Sequence, residues 1–502
     1  MLIRHTLLYL PAQIVGPLFQ LISVIVWTHV VDEHTLGVIT LVTATHELLQ
    51  IAFLAWWSQY ALRFLGRYHD TGEVQRFHQT ENSLLLASVL VQSLIVVAVL
   101  LLVIAPDGNA GLLVATVGYV ITRTLNLYVG DRARVDHQVW VYTIQQIVGP
   151  AVGFVIGLLL IKLLGHSAEW PLAGYALAQL AAVVVVLPVI GHSRSIWAPD
   201  RAIVNHALKY GIPLIIGGAF GWVGLNASRF IVNDVLGVGA TGLFAVGYGL
   251  GQRAATFAAM LVTAAAFPLA VKSMERDGSV VAMRQLADNG ALLLAILVPS
   301  VAGIFILRMG FVHLLIATPF QQMTLAVLPL STLAGGIRSV RAHFVDQAFL
   351  LHNRTGLMIV VTAIDAGVTV VLTPAFIAHW GLVGAAGATV VAAFAAAVVS
   401  FAIGLVRFDL KLPINHLAPI TLATTVMMVV LSGFQEPRSL VELAGQIAAG
   451  ATIYIVCIGL LYVTSLMKLF RSSRLEFEES AIIGTEKLPP SRNAHGSSQF
   501  SE

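Results

Sequence analysis

Residues Tyr210–Met260 read YGIPLIIGGAFGWVGLNASRFIVNDVLGVGATGLFAVGYGLGQRAATFAAM. Two apolar runs flank a short polar turn. Each run carries an arginine near its middle, Arg229 and Arg253. An arginine at bilayer depth costs about 3 kcal/mol or more, so it faces a bundle interior or a wet cavity. The same stretch echoes the start of the chain. Buried positive charge and internal duplication therefore frame the reading of the remainder.

Composition sets the class. Hydrophobic residues make up 58% of the 502 and charged residues 11%, and mean hydropathy is +0.87. A soluble domain carries roughly 25% charge. Apolar stretches of about 18–25 residues recur from end to end, the length of helix that crosses a bilayer. The expected fold is an all-α integral membrane protein of about 14 transmembrane helices. The spans begin near Leu7, Leu36, Leu84, Leu112, Val139, Pro171, Leu208, Ala240, Ala291, Met323, Leu357, Leu382, Leu417 and Leu443. Leu7–Val30 is too long for a signal-peptide core and reads as a retained first span. The single cysteine, Cys457, excludes an intramolecular disulfide framework.

Lys and Arg alternate between the two sides. One set of loops holds Arg63, Arg67, Arg76, Arg132, Arg134, Arg194, Arg201, Lys272, Arg276, Arg284, Arg341, Arg354, Arg407 and Lys411. The opposite set holds Lys162, Arg308 and Arg438. The positive-inside rule then places both termini in the cytoplasm. The outer loops are short and leave no room for an enzyme domain.

The halves match in order. His5, Leu7, Tyr9 and Pro11 resemble His206, Leu208, Tyr210 and Pro213; Leu36-Gly37 matches Thr241-Gly242. Leu84–Ala87 matches Leu292–Ala295, and Leu172, Gly174 and Ala176 match Leu382, Gly384 and Ala386. In the fourth span of each half an arginine precedes an aspartate by eight residues, Arg123 with Asp131 and Arg338 with Asp346. Eight residues is a little over two turns, so each pair is expected on roughly one face. Six spans per copy is even, so both copies insert the same way up and face each other across the molecule's centre. The expected division is 1–190 for the N-lobe, 191–207 for a cytoplasmic linker and 208–406 for the C-lobe. Residues 407–468 hold spans 13 and 14, and 469–502, rich in Ser, Glu and Pro, a disordered cytoplasmic tail.

Four arginines fall inside spans: Arg123, Arg229, Arg253 and Arg338. The central acids are Glu47 and Asp365, with His46 beside Glu47. A net positive cavity favours an anion, and the planar guanidinium fork suits phosphate. The other reading pairs some of these arginines with the two acids or with backbone carbonyls. Glu47 and Asp365 are candidate ion-coupling sites, because a buried carboxylate titrates near neutral pH; a fixed ion pair with arginine is the equal alternative. Asn126, Gln145, Gln146, Asn226, Gln20 and Gln252 are expected to join helices. Trp56, Trp57 and Tyr60 are expected in an interfacial belt. Metal-site, nucleotide-loop and nucleophile-elbow motifs are absent, so neither an enzyme nor a metal or cofactor is expected, and no nucleic-acid partner.

The stretch around Arg229 resembles polysaccharide flippases (Wzx-type, serving O-antigen and exopolysaccharide) of the MOP superfamily. The matching residues are Pro213, Ser228-Arg229-Phe230-Ile231, Leu236-Gly237, Gly242, Phe244 and Gly247-Tyr248. Ala266-Phe267-Pro268 with Glu275 and Gly278 resembles that family's turn after span eight; Arg63-Phe64 with Thr71-Gly72-Glu73 resembles the turn after span two. Ser228 stands where the family carries an acid, which leaves Arg229 freer to bind an anion. The resemblance implies two six-helix lobes in a MATE-like parallel repeat, with two C-terminal helices added. It implies a substrate of undecaprenyl-diphosphate-linked oligosaccharide, moved to the outer leaflet of the bacterial inner membrane by alternating access. Membrane lipids, a polysaccharide polymerase and a chain-length regulator are the implied partners. The four arginines would receive the diphosphate and any acidic sugar. Rivals of the same architecture are a multidrug/cation antiporter, which would carry an acid in span one, and a lipid II flippase, which would carry an Arg-Asp pair there. A membrane polysaccharide polymerase or ligase would need a large outer loop.

Overall fold

In lipid every backbone N–H and C=O must be satisfied within the chain, so apolar runs of this length become helices. The computed structural model describes residues 2–189 and 198–485, with side chains from 15 to 463 apart from 17, 190–197, 261, 264 and 265. The described elements are all helical. They form fourteen rods: α1 (Leu2–Val30), α2 (Glu33–Asp70), α3 (Val74–Ile104), α4 (Ala110–Val135), α5 (Val139–Leu164), α6 (Glu169–Val186), α7 (Arg201–Leu236), α8 (Val238–Asp277), α9 (Ser279–Leu315), α10 (Thr318–Leu351), α11 and α12 (within Gly356–Phe408), α13 (Ile414–Ser432) and α14 (Leu440–Thr485). Each span expected from the sequence has its rod. Gly381, at φ 56° and ψ −140°, breaks Gly356–Phe408 into 356–380 and 382–408. Only glycine takes that conformation without strain, so the tight turn sits there.

Local chemistry fixes the ends. Asp32 caps α2 by accepting from the Thr35 amide at 2.8 Å, and Asn109 caps α4 by accepting from Leu112 at 2.7 Å. Asp200 caps α7 from Ala202 and Ile203. These side chains satisfy amides that the first helical turn leaves orphaned. Pro150, Pro213, Pro268, Pro299, Pro329 and Pro374 lie inside helices, where each removes a backbone bond and invites a kink.

Packing yields the two lobes. Helices α1–α6 gather in one and α7–α12 in the other, with α13 against α9 and α14 against α13. Gly149, Gly153 and Gly157 line one face of α5, and α6 lies on it closely enough that a methyl at Gly174 would strike the Gly157 backbone. Such small-residue stripes let helices approach without a hydrophobic drive between them. The largest inter-lobe contact joins α2 to α8 at their N-terminal ends. A methyl at Gly37 would collide with the Val238 carbonyl, and one at Gly242 with the Glu33 carbonyl. The duplicated pair Gly37 and Gly242 therefore brings two backbones into contact at equivalent places in the lobes.

Several expectations need correction. Trp56, Trp57 and Tyr60 are buried, not interfacial. Tyr60 hydrogen-bonds Tyr68 and His206 at 2.8 Å each, and Trp57 stacks on Phe77. Arg341 is not a loop residue; it is buried inside α10. A π-type turn, Arg341–Val345, lies between Arg338 and Asp346. Its wider winding changes the rotation of the last turns of α10, and Arg338 and Asp346 take separate partners. Asp346 instead faces Ser400 at 2.6 Å and Arg341 at 3.6 Å; Asp131 faces Arg134 at 3.4 Å. Helix α7 starts at Arg201, inside the expected linker, of which 191–197 lie outside the described residues. Helix α14 continues to Thr485, so the first part of the expected disordered tail is helical. Its run of Leu, Glu and Arg has good helix propensity, enough to carry the rod past the continuous apolar run. Residues 486–502 lie outside the described residues.

Candidate substrate site

Between the lobes lies a cavity of about 590 Å³. Its walls come from α1, α2, α4, α5 and α6 on one side and α7 and α8 on the other. Arg123 and Arg253 both line it, with His46, Glu47 and Gln50. Two arginines more than a hundred residues apart thus meet in one space. Arg253 is exposed to the cavity, yet deep in the protein. Its Nη1 donates to the Gln20 carbonyl at 2.8 Å, so α8 of the C-lobe reaches across to α1. Arg229 and Glu47 lie within electrostatic reach of it. Arg123 donates to Asn126 Oδ1 at 3.4 Å, a long bond that leaves most of its fork unengaged.

Arg229 stands behind this wall and does not line the cavity. Its Nη1 donates to Asn226 Oδ1 at 2.8 Å, and its guanidinium lies over the Tyr248 ring at 5.5 Å. Its Nε is buried without a hydrogen-bond acceptor, as is the neighbouring Ser228 hydroxyl. Asn226, which does line the cavity, links Arg229 to it.

Arg338 is elsewhere. It holds Asp365 with both arms of its fork, Nε to Oδ2 at 2.9 Å and Nη2 to Oδ1 at 2.8 Å. Nη2 also donates to the Gly224 carbonyl at 2.9 Å, and Nη1 to the Tyr248 hydroxyl at 3.3 Å. Both partners of the pair are buried. For Asp365 the fixed ion pair is therefore the arrangement found. Glu47 differs: it is exposed to the central cavity, free of any ion pair among the described residues.

His46 is buried and contacts Thr124 Oγ1 at 3.1 Å, with Tyr119 edge-on beside it. Asn126 donates to Gln145, whose amide donates to the Ala182 carbonyl at 2.8 Å. These amides tie α4, α5 and α6 together. Trp222 projects from α7 into the cavity wall and donates to the Ala44 carbonyl of α2 at 2.9 Å, a further bond between lobes.

A second, apolar space of about 490 Å³ adjoins α1 and α8 at Leu21, Leu250 and Ala254. It continues along α9 through Pro299 and Ile304 to Met427 of α13 and Leu443 and Tyr454 of α14. The sequence marked α13 and α14 as extra spans without a role; they wall this groove. Together the two spaces set a cationic chamber beside an aliphatic channel, both touching α1 and α8.

A family profile described as polysaccharide biosynthesis protein matches residues 2–274. No curated protein matches the chain in sequence. Among solved structures, a lipid II flippase, MurJ, in an inward closed conformation is similar at TM-score 0.75 and 14% identity, covering 92% of this chain and 100% of its own. An inward-facing multidrug resistance transporter of the MATE family, MOP superfamily, is similar at TM-score 0.55 and 13% identity, covering 80% of this chain and 98% of its own. At those identities the likeness is one of fold. The chain is thus a multi-pass membrane protein with the MurJ- and MATE-like transporter fold, and it belongs to the polysaccharide biosynthesis protein family.

Proposed function

We propose that this protein flips a lipid-diphosphate-linked oligosaccharide from the cytoplasmic to the outer leaflet of a bacterial inner membrane, with both of its termini cytoplasmic. The observation that carries the reading is the pairing of the two spaces. A chamber bearing Arg123 and Arg253 suits a diphosphate, while the apolar groove beside it suits a polyprenyl tail. Few other substrates carry both groups. Arg123 and Arg253 take the phosphates; Arg229 holds Asn226 and adds positive potential behind the wall. Arg338 acts at one remove, by clamping α10 to α11 through Asp365. Alternating access arises from the two-lobe form: the α2–α8 contact opens as the basic-loop side closes. Glu47, facing Arg253 in the chamber, is the coupling carboxylate.

The rival readings fit less well. Leu7–Val31 holds no acid for a cation antiporter and no Arg-Asp pair of the lipid II type. The test is deletion followed by complementation. The expected outcome is a loss of surface polysaccharide together with undecaprenyl-linked glycolipid held on the inner leaflet, both restored by the gene. Undiminished surface polysaccharide in the deletion strain contradicts the reading.

A further inference from the structure

A smaller pocket of about 180 Å³ lies in the C-lobe, sharing Gly221 and Leu225 with the wall of the central cavity. Arg341 and Gln252 line it, with Thr256, Ser339 and Thr362 nearby. Arg341 is only 7% exposed. Its Nε and Nη1 have no hydrogen-bond acceptor, and neither does the Gln252 amide nitrogen. A buried guanidinium without protein acceptors is costly, and such donors call for an ordered water, an ion or a ligand to supply the oxygens.

The local acids supply charge but no hydrogen bond to these donors. Asp346 is ion-paired with Arg341, its Oδ2 3.6 Å from Nε and beyond hydrogen-bond reach, while its Oδ1 accepts from Ser400. Asp365 also lines the pocket, but both of its oxygens are taken by Arg338. His343 is turned to Thr263 at 2.9 Å. Arg341 opens the π-type turn of α10, and such turns recur at functional sites. Along α8, Gln252 and Thr256 bracket Arg253, so the pocket lies within about one helical turn of it on the basic-loop side.

We propose that Arg341 and Gln252 form a second oxyanion subsite, which takes a phosphate group on its way into the central cavity. The inference rests on the flippase reading for its direction, but not for the existence of the site. Arg341 supplies the charge and two fork donors; Gln252 supplies a neutral donor from the facing helix. A phosphate group passing from here to Arg253 stays within reach of positive charge throughout.

Calorimetric titration of the purified full-length protein in lipid nanodiscs tests this, first with inorganic phosphate and then with an unglycosylated polyprenyl diphosphate. Wild-type protein binds two equivalents of inorganic phosphate. Arg341→Ala loses one of them or weakens it about 10-fold or more, as expected for a lost charge-assisted bond. Arg253→Ala loses the other and keeps the Arg341 equivalent. Should Arg341→Ala fold poorly, Gln252→Leu, which removes no ion pair, must still weaken the same equivalent. Two equivalents of unchanged affinity in both Arg341→Ala and Gln252→Leu overturn the subsite, as does a wild-type protein that binds fewer than two. Displacement of both equivalents by the polyprenyl diphosphate assigns the subsite to the lipid headgroup. Persistence of the Arg341 equivalent assigns it to free phosphate and overturns the loading role. Because phosphate stoichiometry is read without transport, failure of the flippase reading in cells would be told apart from failure of this site.

Discussion

At Arg338 the charge serves structure, while at Arg123 and Arg253 it faces open space, and the two uses predict different mutants. Breaking a buried ion pair from one side costs about 3–5 kcal/mol because the partner is left uncompensated. Arg338→Leu should therefore lower the thermal unfolding midpoint and the yield of purified protein, and Arg338→Leu with Asp365→Leu should recover much of the loss. Equal destabilisation in the single and double variants would show that the pair is not the reason Arg338 is there. Arg123→Ala and Arg253→Ala, by contrast, should fold at near wild-type stability and cut polysaccharide export about 10-fold or more, as expected from losing a charge-assisted contact. Glu47→Gln should retain phosphate binding but lose the response of export to a collapsed proton gradient. An unaltered response would leave Glu47 without a coupling role. Arginines inside apolar runs were visible in the sequence as a set of four. Their sorting was not, because whether an arginine meets a carboxylate depends on contacts such as 338 to 365 across helices. Arg341 was hidden for another reason: it sits near the end of its span, where positive charge reads as a loop.

Helices repeat the same division between pattern and contact. Span length depends on composition alone, and the rods lie where that signal puts them. The π-type turn at Arg341–Val345 leaves no mark in composition, and the separate partners of Arg338 and Asp346 could not be read off the spacing. The burial of Trp56 and Trp57 was equally hidden, since an aromatic near a span end looks the same whether lipid or α7 lies beside it. A methyl at Gly211 would press on the Trp56 ring, which shows how closely α7 covers that face. The duplicated glycines were legible as a repeat but not as a contact. Gly242→Val should force α8 off α2 and raise the labelling of outer-end cysteines by an impermeant thiol reagent, in a Cys457→Ala background. Labelling as low as in the glycine parent would mean that the contact yields without opening.

For the whole molecule, the proposed alternating access requires the lobes to part at the α2–α8 contact and come together again. Glu33 Cγ lies 3.5 Å from where a side chain on Gly239 would begin, close enough for a disulfide between cysteines placed at 33 and 239. Oxidation of that pair should stop export, and reduction should restore it; export that continues with the bridge intact would contradict lobe separation. The central claim is narrower, that Arg123 and Arg253 together carry a lipid diphosphate across the membrane. Its most direct measurement is the leaflet distribution of undecaprenyl-linked glycolipid in cells expressing the Arg123→Ala, Arg253→Ala double variant at wild-type abundance. The predicted result is glycolipid confined to the inner leaflet, as in the deletion strain; a wild-type distribution in that variant would contradict the claim.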